Sequence, residues 1–245
     1  MAVVANNDVK NFARELKTMH LKGGSMKYAV LNLPCESDTP SNYGSSRVSL
    51  LRHPVYACLG LRPVQAQHTA AEHSALKQWA ADRRCIVEIG VAEGVSALAM
   101  REGMMPDGIL YLIDPFHLSR YPALNFMKRA ARRAVGSCKQ GSVVWIEQFS
   151  QDAVQTWNHS IDLLVIDGDH SEAAVERDWN DWSRFVPVGG AVLFHDACLF
   201  EGGWTKPEYG PVKIVNRLFR NDANPEWKIA GEVHSVMVVE RIRRS

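Results

Sequence analysis

A chain of 245 residues with 46% hydrophobic and 22% charged residues has the apolar content for one sizeable core and enough charge to stay in water, which excludes a fibrous or disordered protein. Its 28 basic and 27 acidic residues leave a formal net charge of +1, so no global field draws it to nucleic acid or to an anionic membrane, and small molecules are the expected partners. Five cysteines without a CxxC pair disfavour both a disulfide framework and a thiolate zinc site and fit a reducing cytoplasm. No apolar run approaches the length that spans a bilayer.

Residues 1–65 show no rhythm of apolar runs and glycine turns. Residues 34–46 are dense in Ser, Asn, Asp, Pro and Gly and read as loop; Phe12, Leu16 and Met19 are spaced to share one face of a helix over about 8–20. This segment is expected to form a lid or a dimerisation element, leaving 66–245 as the principal domain.

From Thr69 the pattern changes. An amphipathic helix through Trp79 leads into CIVEIG (85–90), an apolar run closed by glycine, and the same strand-then-helix rhythm returns with GILYLID (108–114), SVVWIEQ (142–148), IDLLVID (161–167) and GAVLFHD (190–196). The stretches 94–103, 121–136, 150–157 and 171–185 between them are polar on one side and apolar on the other, which predicts helices over a parallel sheet covered on both faces. A glycine- and aromatic-rich loop (199–210) then precedes a helix near 212–219. EWKIAGEV (226–233) and SVMVVERI (235–242) follow with so short a link that only antiparallel pairing is open to them. Five parallel strands ended by a hairpin differ from the six-stranded nicotinamide-binding arrangement.

Ligands of an open parallel sheet bind beyond the carboxyl ends of its strands, and here nearly every strand ends in an acid, an amide or an imidazole. The first ends in VEIGVAEG, where Gly90 and Gly94 allow a sharp turn and close approach to a ligand ahead of a helix N-terminus. Ala92 interrupts the full GxGxxG pattern, which weakens a hydride-transfer reading. Asp114, closing the second strand, stands where a carboxylate accepts hydrogen bonds from a ribose diol; the same residue could instead cap the backbone before Pro115. No GxSxG elbow supports a serine hydrolase, and DGDHSE lacks the glycine and the glutamate of a calcium loop.

Taken in order, VEIGVAEG, LIDPF, FSQDA, VIDGDHS and VGGAVLFHDA resemble the metal-dependent small-molecule O-methyltransferases, including the catechol, caffeoyl-CoA and macrocin-type sugar enzymes, over residues 69 to 241. The resemblance implies a Rossmann-like α/β fold with a seven-stranded, mostly parallel sheet whose last strand is antiparallel. It implies S-adenosylmethionine (SAM) as methyl donor, with Glu88, Gly90 and Gly94 at its methionine part, Asp114 on the ribose, Ser150 and Gln151 bordering the adenine, and Asp167 beside the cofactor. It further implies a divalent cation, Mg²⁺ or Mn²⁺, on Asp167, His195 and Asp196, with Asp169 as an additional candidate. A histidine where relatives carry an aspartate leaves the metal's identity open, and the same acids could merely cap the helix after Ser171.

Under this reading the cation lowers the cost of forming an alkoxide and His170 takes the proton, since an imidazole titrates near neutral pH; His195 is the alternative base if no metal binds. Asp167, His170 and His195 are therefore the expected catalytic residues. Trp204 and Tyr209, in a loop with Gly202, Gly203 and Gly210 as hinges, would form a mobile cap over an acceptor hydroxyl compound, and DGDH with FHDA resembles the sugar-modifying enzymes more than the catechol ones. Competing expectations are a nicotinamide-dependent oxidoreductase and a non-catalytic SAM-binding module. A homodimer through residues 1–65 completes the set.

Overall fold

The structure is a computed structural model and describes residues 57, 59–60, 64, 66–116, 125–220 and 224–243. The expected helix over 8–20 and loop over 34–46 lie outside the described residues, as does nearly all of the segment assigned to a lid or dimer contact.

Helix α1 (Ala70–Ala80) opens with a reciprocal cap: the Thr69 hydroxyl accepts from the Glu72 amide and the Glu72 carboxylate accepts from the Thr69 amide. The other oxygen of Glu72 accepts from the Ser235 amide and hydroxyl at 2.8 and 2.6 Å. One fully buried carboxylate thus starts the helix and ties it to the end of the sheet.

Five strand-then-helix units and a closing hairpin follow in chain order: β1 (Cys85–Ile89), α2 (Val95–Gly103), β2 (Ile109–Ile113), α3 (Phe126–Ser137), β3 (Ser142–Ile146), the single turn α4 (Ser150–Ala153) continued by a 3-10 turn, β4 (Leu163–Ile166), α5 (Glu172–Trp182), β5 (Ala191–Phe194), α6 (Gly210–Phe219), β6 (Trp227–Val233) and β7 (Val236–Arg241). All seven strands expected from the apolar runs are present. They form one sheet in the order β3-β2-β1-β4-β5-β7-β6, with β1 to β5 parallel and β7 antiparallel to both β5 and β6.

Period-two alternation divides the core. Along β4, Leu163 and Val165 pack with Ile86, Leu110, Leu112 and Met100 on the face covered by α1, α2 and α3, whereas Leu164 and Ile166 pack with Val87, Phe194 and Trp182 on the face covered by α5 and α6. Both faces of the parallel strands are buried, so β4 and β5 read as unbroken apolar runs rather than alternating ones. The order in which strands join the sheet reverses between the parallel β1 and β4, which lie side by side with β2 and β3 beyond one and β5 beyond the other. The crevice above that reversal is where an open α/β sheet binds its ligand. Among the described residues no helix is long and apolar enough to cross a membrane.

Candidate active site

Three strand ends build the side expected to hold the cofactor. Gly90 follows β1 with φ +85°, and a Cβ there would stand 2.2 Å from the carbonyl oxygen of Asp167. Only glycine therefore lets the turns after β1 and β4 touch. Gly94 is the N-cap of α2 at φ +78°, close over the backbone of Ala131. Between them Ala92 is held at φ +45°, an uncommon conformation for a residue with a side chain. The holder is Asp114: one of its oxygens accepts from the amides of Val91 and Ala92 at 2.9 and 3.2 Å, the other from the Phe116 amide at 2.7 Å. The carboxylate expected at a ribose thus also fastens the glycine turn to the end of β2.

Glu88, on β1 directly below the turn, is fully buried; the Ser96 hydroxyl donates to one of its oxygens and the other has no hydrogen-bond partner. Burial drives its carboxyl well above the ordinary range. Residues 91–96, with Ser96 among them, line a pocket whose opposite wall is Gln67, His68 and Asp167. At the end of β3, the hydroxyl of Ser150 donates to Asp178 at 2.5 Å. Asp178, on α5, is pushed up to about 6 by burial. Ser150 is buried and Gln151 half-buried beside it.

The side expected to face an acceptor is made by the ends of β4 and β5. His195 Nδ1 lies 3.2 Å from Asp167 Oδ1 and 3.4 Å from Asp196 Oδ1, while His170 reaches the same two residues, Nε2 to Asp167 Oδ1 at 3.5 Å and Nδ1 to Asp196 Oδ2 at 3.6 Å. Two imidazoles and two carboxylates therefore interleave. Burial alone would raise Asp167, but the charges of His195 and His170 outweigh it and hold that carboxyl low. Reciprocally, His195 is raised to about 9 by the two aspartates despite its burial, and His170 is raised chiefly by Asp167. Asp196 sits at φ +52° and accepts from the indole N–H of Trp204 at 2.6 Å.

Asp167, His170, His195 and Asp196 are thus brought together as the sequence pattern suggests. Asp169 is not: its side chain is spent on the Ser171 amide ahead of α5, a helix-start role. The divalent-cation expectation finds no ready ligand set, because among the described residues no group of three His, Cys, Asp or Glu side chains is placed so that it could hold a metal ion. The physical reason is that His195 itself bridges Asp167 and Asp196, occupying with a ring nitrogen the space between the carboxylates. The glycine hinges of the 199–210 loop also need correction. Gly203 packs on the Phe200 ring and Gly210 is buried inside α6, its amide bonded to the carbonyl of His170; Gly202 alone of the three has a positive φ and open space.

His68 is the site residue that the sequence did not announce. It lies just before α1, where no motif marks it, yet it lines the pocket, bonds to His73 at 3.2 Å and meets the His195 ring edge-on at 6.4 Å. Burial, then its histidine neighbours, lower it to about 4, so it is neutral where His195 is charged.

Residues 87–197 match the family model of a methyltransferase domain. The matched segment is similar to a methyltransferase domain. An uncharacterized protein of Acanthamoeba polyphaga mimivirus is 30% identical over 115 residues, which is 45% of this chain and 50% of that protein; the chain thus spans about half the length of the curated relative it matches. The methyltransferase-domain fold extends well beyond the matched segment. The O-methyltransferase TomG of Streptomyces achromogenes, solved in complex with SAM, aligns with a TM-score of 0.55 at 16% identity, covering 79% of this chain and 89% of its own. A Bacillus cereus O-methyltransferase in complex with SAH aligns at 0.52 and 15% identity, over 79% and 91%. The seven-stranded order with its antiparallel β7 is that of the class I methyltransferases.

Proposed function

We propose that this chain transfers the methyl group of SAM to a hydroxyl of a small molecule, with His170 as general base. The observation that carries this reading is the adjacency of two half-sites. A glycine-turn pocket shares Asp167 with the interleaved Asp167, His170, His195 and Asp196 cluster. A pure binding module has no need of such a cluster, and the pocket beside it suits SAM: a tight turn that Gly90 and Gly94 permit, a helix N-terminus, and, just below the turn, the unpartnered buried oxygen of Glu88.

SAM supplies an electrophilic methyl on a sulfonium. What remains for the protein is alignment of the acceptor oxygen and management of one proton. His195, charged between its two aspartates, is unsuited to accept that proton; it stabilises negative charge developing on the acceptor oxygen. His170 is half-exposed, with Nε2 3.5 Å from Asp167 Oδ1 and Nδ1 3.6 Å from Asp196 Oδ2; it receives the proton, while Asp167 and Asp196 stabilise the resulting imidazolium. Because the side chains as placed do not form a cation site, no step is routed through a metal.

A sugar or glycosylated metabolite is the favoured acceptor, on the motif resemblance and on the aromatic wall that Phe200 and Trp204 set beside the imidazoles. A Clostridium thermocellum protein assigned as an rRNA methylase shares the fold at a TM-score of 0.51 and 11% identity, but a net charge of +1 offers RNA no attraction.

The test is calorimetric titration of SAM and SAH into chelator-treated protein, with NAD as control, followed by transfer of labelled methyl to panels of sugars and phenols with EDTA or with Mg²⁺ or Mn²⁺. Binding of SAM and SAH but not NAD, with transfer that survives EDTA and is lost in His170→Ala, is the expected result. Transfer abolished by EDTA and restored by a cation would reinstate metal assistance through Asp167, His195 and Asp196; absence of SAM binding would overturn the reading.

A further inference from the structure

The 199–210 loop was expected to be a mobile cap, yet it is fastened into the site at several points. The Thr205 hydroxyl donates to the Cys198 carbonyl at 2.6 Å, the Gly210 amide to the His170 carbonyl at 3.2 Å, and the indole N–H of Trp204 to Asp196 Oδ1 at 2.6 Å. Trp204 in turn meets Phe200 edge-on at 5.1 Å, Phe200 stacks on His234 at 4.9 Å with their planes 6° apart, and His234 Nδ1 is 2.9 Å from the Thr69 hydroxyl. A continuous chain of contacts runs from the start of α1, across the β6–β7 turn, to the carboxylate that faces His170.

Asp196 needs such a tether. It is buried, in a left-handed conformation, and divides its oxygens between two histidines, Oδ1 toward His195 and Oδ2 toward His170. Neither histidine contact is shorter than 3.4 Å, too long to fix the carboxylate's rotation. The 2.6 Å bond from Trp204 is the short, directional one. With Oδ1 pinned, Oδ2 is aimed at His170 Nδ1.

We infer that Trp204 is a positioning residue, whose indole N–H sets the rotamer of Asp196 and through it the orientation of the His170 ring. The inference rests on the proposed role of His170 but reads a different property, the geometry of the cluster before any acceptor arrives. It also recasts the loop as a fixed wall of the acceptor site, with Trp204 presenting a ring whose polar edge is already committed.

The test uses full-length protein and needs no known acceptor. In ¹⁵N-labelled wild type the Trp204 indole proton, identified by its loss in Trp204→Phe, should exchange with solvent slowly; Asp196→Ala, which removes the acceptor, should speed that exchange by about tenfold or more. Trp204→Phe, which keeps the ring and removes the donor, should shift the His170 ring-nitrogen resonances while SAH affinity stays within about threefold of wild type. Once the screen above yields an acceptor, kcat of Trp204→Phe should fall roughly 10- to 100-fold with KM within about threefold. A fast-exchanging indole proton, or His170 resonances and kcat unchanged in Trp204→Phe, would overturn the inference. Failure of SAH to bind the wild type would instead strike the methyltransferase reading and leave the Trp204–Asp196 result standing on its own.

Discussion

His195 and Asp167 are joined at 3.2 Å across the ends of neighbouring parallel strands, and the pair is completed by Asp196 at 3.4 Å from the same imidazole nitrogen. One buried ring is therefore clamped between two acids. That relationship decides how the site is charged near neutrality and how stability responds to pH.

The folded-state value of His195 is raised, to about 9 from 6.5. A raised imidazole contributes stability that is fully present below its unfolded value and lost as pH rises through the folded one. Urea unfolding of the wild type should show stability declining between pH 6.5 and 9, by about 2 kcal/mol for a shift of this direction and size with two acids sharing the interaction. Asp167→Asn should flatten that decline and move the His195 titration, followed by NMR, toward neutrality. An undiminished decline in Asp167→Asn would mean that the clamp is not the source.

The strands were legible in the sequence because burial on both faces makes them continuous apolar runs, and the acids that close them were legible because strand ends are where an open sheet exposes its chemistry. Asp167, His170, His195 and Asp196 belong to that readable part. What the sequence concealed is the partnering of those side chains. Nothing in FHDA says that Trp204, eight residues on, would bond to Asp196, or that His195 would bridge the two carboxylates. Likewise Glu72 has the spacing of a capping box, but its second bond, to Ser235, spans 163 residues and depends on how the hairpin packs on α1. His68 was silent for the same reason: a lone histidine ahead of a helix gains its meaning only from the turn after β1 standing opposite.

Asp114 carries the next prediction. Its oxygens hold the Val91, Ala92 and Phe116 amides, so Asp114→Ala should release the glycine turn and leave three N–H groups to seek water. SAH affinity measured by calorimetry should fall by about 100-fold, since the turn's anchor and the proposed ribose contact are lost together. Asp114→Asn, which keeps one acceptor oxygen, should recover part of it. Wild-type affinity in Asp114→Ala would show that the turn is held by other means.

Gly90 tests the close approach of β1 and β4. An alanine there would need φ +85° and would place its Cβ 2.2 Å from the Asp167 carbonyl oxygen, a backbone atom that cannot swing aside. Gly90→Ala should cost about 3 kcal/mol or more and lower the midpoint of thermal unfolding by roughly 6–12 °C for a domain of this size. A change within about 2 °C would mean that the two turns are not in contact in solution.

Asp178 supplies a prediction of opposite sign. It is a buried carboxyl whose folded value is raised to about 6 from 3.8, chiefly by desolvation, with the Ser150 hydroxyl bonded to it and Arg177, Asp181 and Asp169 among its charged surroundings. A raised carboxyl contributes stability in its protonated form, fully present below 3.8 and lost as pH rises through 6, so at pH 7 the folded protein bears the cost of a buried anion. Asp178→Asn keeps an acceptor oxygen for Ser150 and removes that charge. It should stabilise the protein at pH 7 by about 1–2 kcal/mol and have little effect at pH 4, as read from urea midpoints at the two values. Destabilisation at pH 7 would show that the ionised carboxylate, and not a buried charge to be relieved, is what the fold uses beside Ser150.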